Sequence, residues 1–161
     1  MIILIDGRSG SGKSELATAL AERFGGQLVR LDDVYPGWDG LDAGSDAVPR
    51  ILSTGRWQRW DWIAGAHAEW HQLDIAMPLI VEGVGAISRA SVPLADHALW
   101  VELDDETRKV RALERDDYYA PYWDRWAAQE ERLIAREGPR GLADLIVDGN
   151  AVEAFSLEWT P

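Results

Sequence analysis

Gly7-Arg8-Ser9-Gly10-Ser11-Gly12-Lys13-Ser14 carries glycine, four residues, then Gly-Lys-Ser, the spacing of a loop that wraps a phosphate group. Gly7, Gly10 and Gly12 permit positive φ and let a phosphate approach the chain without striking a Cβ. The amides of the loop, those of Ser9 and Ser11 included, are expected to point inward at a helix start, where the macrodipole favours negative charge. Lys13 is placed to reach the terminal phosphates and the Ser14 hydroxyl to ligate Mg²⁺. It is one of two lysines in a chain that otherwise uses arginine. The flanks agree with this reading. Met1 to Ile5 is a short apolar run that suits a strand buried on both faces. Leu16, Ala19, Leu20 and Phe24 then recur at helical spacing.

At 161 residues the chain is long enough for one well-buried domain and short for two, so a single domain over 1–161 is expected. An apolar fraction of 47% and a charged fraction of 27% are those of an ordinary globule. The absence of cysteine excludes disulfides, thiolate metal sites and cysteine catalysis, and makes the cytoplasm the expected compartment. The N-terminal apolar run is too short for a signal peptide, and no stretch approaches a membrane span. A net charge of −12 argues against a nucleic-acid polymer as partner, because such a partner needs a basic face. A small anionic ligand needs only local positive groups, and the arginines are clustered enough to provide them.

Beyond the first helix, Gln27 to Leu31 reads as a second strand, followed at once by Asp32 and Asp33. Acids at the carboxyl end of a parallel strand sit on the ligand rim, which makes Asp32 a candidate base and Asp33 a candidate metal ligand; the plainer reading is a turn cap. Val34 to Ala47 reads as an irregular loop, with a short helix from Val48 to Thr54. Arg56-Trp57-Gln58-Arg59-Trp60-Asp61-Trp62 interleaves rings and cations. It is either a stacking surface for a ligand or a core beneath the loop. Within it, Asp61 needs a partner, a substrate hydroxyl being one candidate. Ile63 to Leu73 carries His67, Trp70 and His71 at helix-like intervals, without the further ligands of a zinc motif.

Pro78 to Val81 is the clearest internal strand, ending at Glu82-Gly83, the pattern of a Walker B acid that holds Mg²⁺ opposite Ser14. Ala98 to Leu103 is a further strand, with Asp104 capping the next helix. On that helix Arg108, Arg111 and Arg115 project from one side, as a solvated face balanced by Glu106, Glu114 and Asp116 or as a phosphate clamp on a closing cover. Tyr122 to Glu137 reads as a helix with Trp123, Trp126, Ala127 and Ile134 inward, and Leu142 to Asp148 as the last strand.

Together, Gly7 to Ser14, Asp32-Asp33-Val34-Tyr35, Trp60-Asp61-Trp62, Val81-Glu82-Gly83 and Glu106-Thr107-Arg108 through Arg111 to Arg115-Asp116 resemble the uridine kinase and phosphoribulokinase branch of the P-loop kinases. The resemblance implies an α/β fold, a three-layer α/β/α sandwich on a five-stranded, mainly parallel sheet, with a lid segment around 108–125. It also implies that Asp32 is the catalytic carboxylate, that Tyr35, Trp60 and Asp61 border the acceptor, and that Glu82 sits by the metal. Arg111 and Arg115 would belong to the lid, and Arg108 would join the loop in binding nucleotide. The chain is shorter than typical uridine kinases, and it lacks the histidine and further arginines of a pyrimidine-nucleoside pocket.

The function expected is therefore an ATP- and Mg²⁺-dependent kinase acting on a hydroxyl of a nucleoside-like or other small metabolite. The alternative is a nucleotide-binding switch with little catalysis of its own. A GTPase version lacks any Asn-Lys-x-Asp element.

Overall fold

The computed structural model describes residues 1–115 and 117–161. Asp116, one of the acids set against the arginine row, lies outside the described residues. Five parallel strands form the central sheet: β1 (Ile2–Asp6), β2 (Gln27–Arg30), β5 (Leu79–Glu82), β6 (His97–Glu102) and β7 (Leu145–Asp148), in the spatial order β2-β5-β1-β6-β7. The remaining strands, β3 (Arg56–Asp61) and β4 (Ala66–Gln72), make a separate antiparallel hairpin.

The alternation of side chains along each strand sorts the core into two layers. Ile3, Ile5, Ile80, Leu99 and Val101 point to the face covered by α1 (Lys13–Phe24) and α6 (Val152–Glu158). Leu4, Leu79, Val81 and Ala98 point to the face covered by α2 (Leu41–Thr54) and α4 (Trp123–Glu137). Between them in sequence lie α3 (Asp105–Arg115), a 3-10 turn over Asp117–Tyr122, and, after α4, the short α5 (Pro139–Leu142). The α/β class, the three layers and the five-stranded parallel sheet are as expected from the sequence. The connections leaving β1 and β5 run to opposite sides of the sheet, so the carboxyl ends of these neighbouring strands open a crevice.

Two local expectations are overturned. The stretch expected as loop to Ala47 is helical from Leu41, because Leu41, Val48, Ile51 and Leu52 form a buried stripe against the sheet. Packing here overrides the turn-forming Asp and Gly content. Gly44 is required by that packing, since a Cβ at this position would run into the Tyr35 ring. The second concerns Ile63 to Leu73, where the helix-like spacing belongs to strand β4. Cross-strand pairs decide this: Trp57 stacks on His71 at 4.2 Å, Trp60 meets His67 edge-on, and Arg59 grips Glu69 through two hydrogen bonds of 2.6 and 3.1 Å. Along a strand, His67 and His71 stand about 13 Å apart, too far to share one ion.

Candidate active site

The loop Gly7–Gly12 leaves β1 and delivers Lys13 and Ser14 into the first turn of α1, with Gly12 in the left-handed region at φ 101°. Three buried side chains hold it from outside. Asp6 closes β1 and accepts N–H groups from Gly7 at 2.7 Å, Gly85 at 3.1 Å and Ile87 at 2.9 Å, tying the loop to the segment after β5. Burial pushes the Asp6 carboxyl up to about 7 against the opposing pull of these donors. Glu130 of α4 accepts the Ser9 N–H at 2.9 Å and the Ser9 hydroxyl at 3.0 Å, and its other oxygen takes Arg8 Nε at 3.3 Å. Arg108 donates to the Ser9 carbonyl at 3.0 Å and to Asp105. The approach of α3 is so close that a Cβ on Gly10, which sits at φ 80°, would collide with the Arg108 carbonyl.

Two cavities meet at Lys13 and Ser14. The outer one, about 780 Å³, runs along the start of α1 under Arg30, Arg111 and Arg115. The inner one, about 570 Å³, adds Asp32 and a set of aromatic rings. Gly10, Lys13, Ser14 and Arg115 line both, so they form the wall between the two spaces.

Glu82 ends β5 almost wholly buried, with the Ser14 hydroxyl against its carboxylate. Burial raises its pKa and the Lys13 charge opposes the rise. Its Oε1 has no hydrogen-bond partner, and the Arg30 guanidinium stands 3.7 Å away. A buried carboxylate oxygen left without a donor beside a serine hydroxyl suits a hard, oxygen-seeking cation such as Mg²⁺. Among the described residues no cluster of three or more acids or histidines forms a self-sufficient metal site, so such an ion would rely on phosphate and water for its remaining ligands.

Asp32 lies on the 3-10 turn Leu31–Asp33 that follows β2; its side chain is exposed and lines the inner cavity. Asp33 does not line it. Burial and the neighbouring Asp32 raise the Asp33 pKa, and the positive groups acting on it are Arg30, Arg59 and His71. Tyr35 forms part of the cavity wall, its hydroxyl donating to the Val84 carbonyl at 2.7 Å. Trp60 and Asp61 lie elsewhere: Trp60 packs on His67, and Asp61 caps the hairpin turn by accepting Ile63 and Ala64 N–H groups at 2.9 Å. The residue of this element that reaches the cavity is Trp62, whose Nε1–H donates to the Asp32 carbonyl at 2.8 Å. The arginine row also divides. Arg108 is buried on the loop backbone, whereas Arg111 donates to the Gly149 carbonyl at 3.2 Å and to Asn150 at 3.0 Å, and Arg115 stands on the shared wall.

Asp6, Glu130 and Tyr119 were not singled out from the sequence. Tyr119 donates to the Ser9 hydroxyl at 2.9 Å while lining the inner cavity. For Glu130 a signal existed: Trp126, Gln129, Glu130 and Leu133 fall on one helical face, and all four are buried. The inward face is thus rotated from the one the tryptophans and Ile134 suggested, because two polar residues belong to it.

No family model matches the chain. It is 27% identical over 129 residues to a tRNA dimethylallyltransferase of Parafrankia sp. (strain EAN1pec), a match that covers 68% of this chain and spans only 40% of that protein's length. Among solved structures, a possible uridine kinase from Bacillus stearothermophilus superposes with a TM-score of 0.62 at 18% identity, over 92% of this chain and 88% of that one. A gluconokinase from Sinorhizobium meliloti 1021 gives 0.60 at 20% identity, over 96% and 88%. A shikimate kinase from Acinetobacter baumannii in complex with shikimate gives 0.59 at 16%, over 98% and 89%. Such near-equal scores at low identity speak for architecture and not for one substrate. The fold of this chain is that of the P-loop kinases.

Proposed function

We propose that the chain is a small-molecule kinase that moves the γ-phosphoryl group of ATP to an alcohol. The observation that carries this reading is the shared wall: Lys13, Ser14 and Arg115 separate an arginine-flanked outer cleft from an inner cavity that holds the carboxylate of Asp32. The outer cleft suits the nucleotide phosphates and the inner one suits the acceptor.

In this reading the loop amides and the start of α1 hold the phosphates, and Lys13 with Arg115 balances charge on the group in transit. Ser14 and Glu82 would hold Mg²⁺, which when bound neutralises phosphate charge. Asp32 accepts the proton of the acceptor hydroxyl as its oxygen bonds to the γ-phosphorus. The bond from that phosphorus to the β,γ-bridging oxygen breaks, ADP leaves with the electron pair, and the proton passes from Asp32 to solvent. Asp33, Trp60 and Asp61 take no part in this scheme, and Arg108 acts only by shaping the loop. Asp32 is suited to its role by position, exposed on the lining of the inner cavity beside the shared wall.

The test is transfer of ³²P from γ-labelled ATP to a panel of nucleosides, sugars and simple alcohols, comparing wild type with Asp32→Asn. Undiminished transfer by the variant removes Asp32 from the role of base. Binding of ATP with no acceptor labelled across the panel moves the reading to a nucleotide-binding switch.

The match to a tRNA dimethylallyltransferase favours a second reading, in which the group transferred is an alkyl and not a phosphoryl group. The net charge of −12 opposes a nucleic-acid acceptor. Alkyl transfer leaves the acceptor without ³²P, so the same experiment separates the two.

A further inference from the structure

The inner cavity differs from a polar sugar site in what it offers a ligand beyond the shared wall. Its lining there is dominated by rings drawn from four parts of the chain: Trp38 after the turn that bears Asp32, Trp62 at the hairpin tip, Tyr119 and Tyr122 of the 3-10 turn, and Trp126 of α4. They support one another. Trp38 lies parallel to Tyr122 at 4.2 Å and 4°, tilts against Trp62 at 5.1 Å, and Trp126 meets Tyr35 at 4.8 Å. Gln129 fixes the Trp38 backbone by donating to its carbonyl at 2.6 Å.

Several polar ends of these rings are already committed to protein. The Tyr35 hydroxyl is held by Val84, the Tyr119 hydroxyl by Ser9, and the Trp62 N–H by Asp32. Tyr118, Val84 and Ile63 complete the lining, which is ring and aliphatic carbon over most of its area. The cations are equally placed: Lys13 and Arg115 both belong to the wall shared with the nucleotide cleft, and no other Lys, Arg or His is among the described residues lining the inner cavity. A carboxylate on the far end of an acceptor would lose its water against ring faces with no counter-charge, and a row of hydroxyls there would lose hydrogen bonds.

We propose that the acceptor is an alcohol with a flat aromatic body and no anionic group, held by its ring faces, its hydroxyl directed to Asp32. This rests on the kinase reading for the word acceptor, but the binding it describes can be measured without turnover. Stacking contacts read a ring face and not the hydrogen-bonding edge, so selectivity among ring types is expected to be shallow.

Binding to the full chain is followed by quenching of tryptophan fluorescence, with 4-nitrobenzyl alcohol, 2-(4-nitrophenyl)ethanol, uridine, 3-methyluridine, choline, gluconate and shikimate as probes. The same compounds are then offered with γ-labelled ATP and Mg²⁺. The aryl alcohols are expected to bind at least about ten-fold more tightly than gluconate, shikimate or choline, the size of one stacking contact. Trp62→Leu, at an exposed hairpin tip, is expected to weaken aryl-alcohol binding about ten-fold and leave ATP binding unchanged, with Trp62→Phe restoring most of the loss. Binding without phosphorylation keeps the aromatic assignment and removes the kinase reading. Phosphorylation of gluconate, shikimate or choline with a KM at or below that of the aryl alcohols keeps the kinase and overturns the assignment. Failure of every aryl alcohol to bind overturns it outright. So does a ten-fold preference for uridine over 3-methyluridine, because methylation alters the edge and leaves the face.

Discussion

The two halves of the site are built by different means. On the phosphate side the loop from Gly7 to Gly12 is clamped through backbone groups by Asp6, Glu130 and Arg108, all buried. On the side of the inner cavity, the proposed acceptor site, the wall is made of large side chains from dispersed elements, and the hairpin bearing Trp62 is tied to the turn below by an indole hydrogen bond to the Asp32 carbonyl. The difference fits the two ligands of the proposed kinase. Phosphate is the same in every nucleotide and is met by backbone amides, whereas an acceptor is particular and must be met by side chains that can vary without disturbing the loop.

Substitutions on each side should therefore fail differently. Lys13→Ala should lower kcat by about 10²–10³-fold with the fold intact, as loss of a group that balances transition-state charge does. Steady-state ATP turnover and circular dichroism check this; a variant with wild-type turnover would break the assignment of the shared wall. Glu130→Ala should cost about 2 kcal/mol of stability, because the buried Ser9 N–H loses a charged acceptor. It should also raise the KM for ATP more than that for the acceptor. Urea denaturation and initial rates measure both. If only stability falls, the clamp is structural and the contrast between the halves is weaker than drawn.

The Asp6 carboxyl has its pKa raised from 3.8 to about 7 in the folded chain, so folding takes up a proton between those values. Its contribution is fully present below the unfolded pKa and is lost as pH rises toward 7, with a slope of about 1 kcal/mol per pH unit inside the window. Urea midpoints at pH 5 and pH 7.5 should show wild type losing stability where Asp6→Asn does not. A slope common to both proteins would assign the effect elsewhere. The smallest effect is expected from Trp62→Phe, which removes one indole hydrogen bond worth about 1 kcal/mol and should slow phosphotransfer only a few-fold. A larger loss in kcat would mean that the hairpin orients Asp32 as well as covering the cavity.

The contrast also explains what could be read from the chain. The loop, its flanking strand and helix, and the acids ending β2 and β5 are local in sequence, and each was placed from spacing alone. The hairpin was not, because His67, Trp70 and His71 satisfy a helical interval by chance and only pairing with Trp57 and Trp60 selects a strand. Likewise, the helix from Leu41 depends on a buried stripe whose partner surface is distant in sequence. Arg108, Arg111 and Arg115 look equivalent along one helix, and only the approach of α3 to Gly10 buries the first on the loop.

The sequence by itself determined that a phosphate loop opens an α/β domain, because glycine placement, apolar alternation and strand-end acids act over a few residues. The tertiary structure alone decided which aromatic residues line the inner cavity, that Trp62 and not Trp60 or Asp61 reaches it, and that Glu130 holds the loop. These contacts join residues separated by as many as 122 positions. A one-dimensional pattern carries no term for them, since what brings them together is the folding of the whole core.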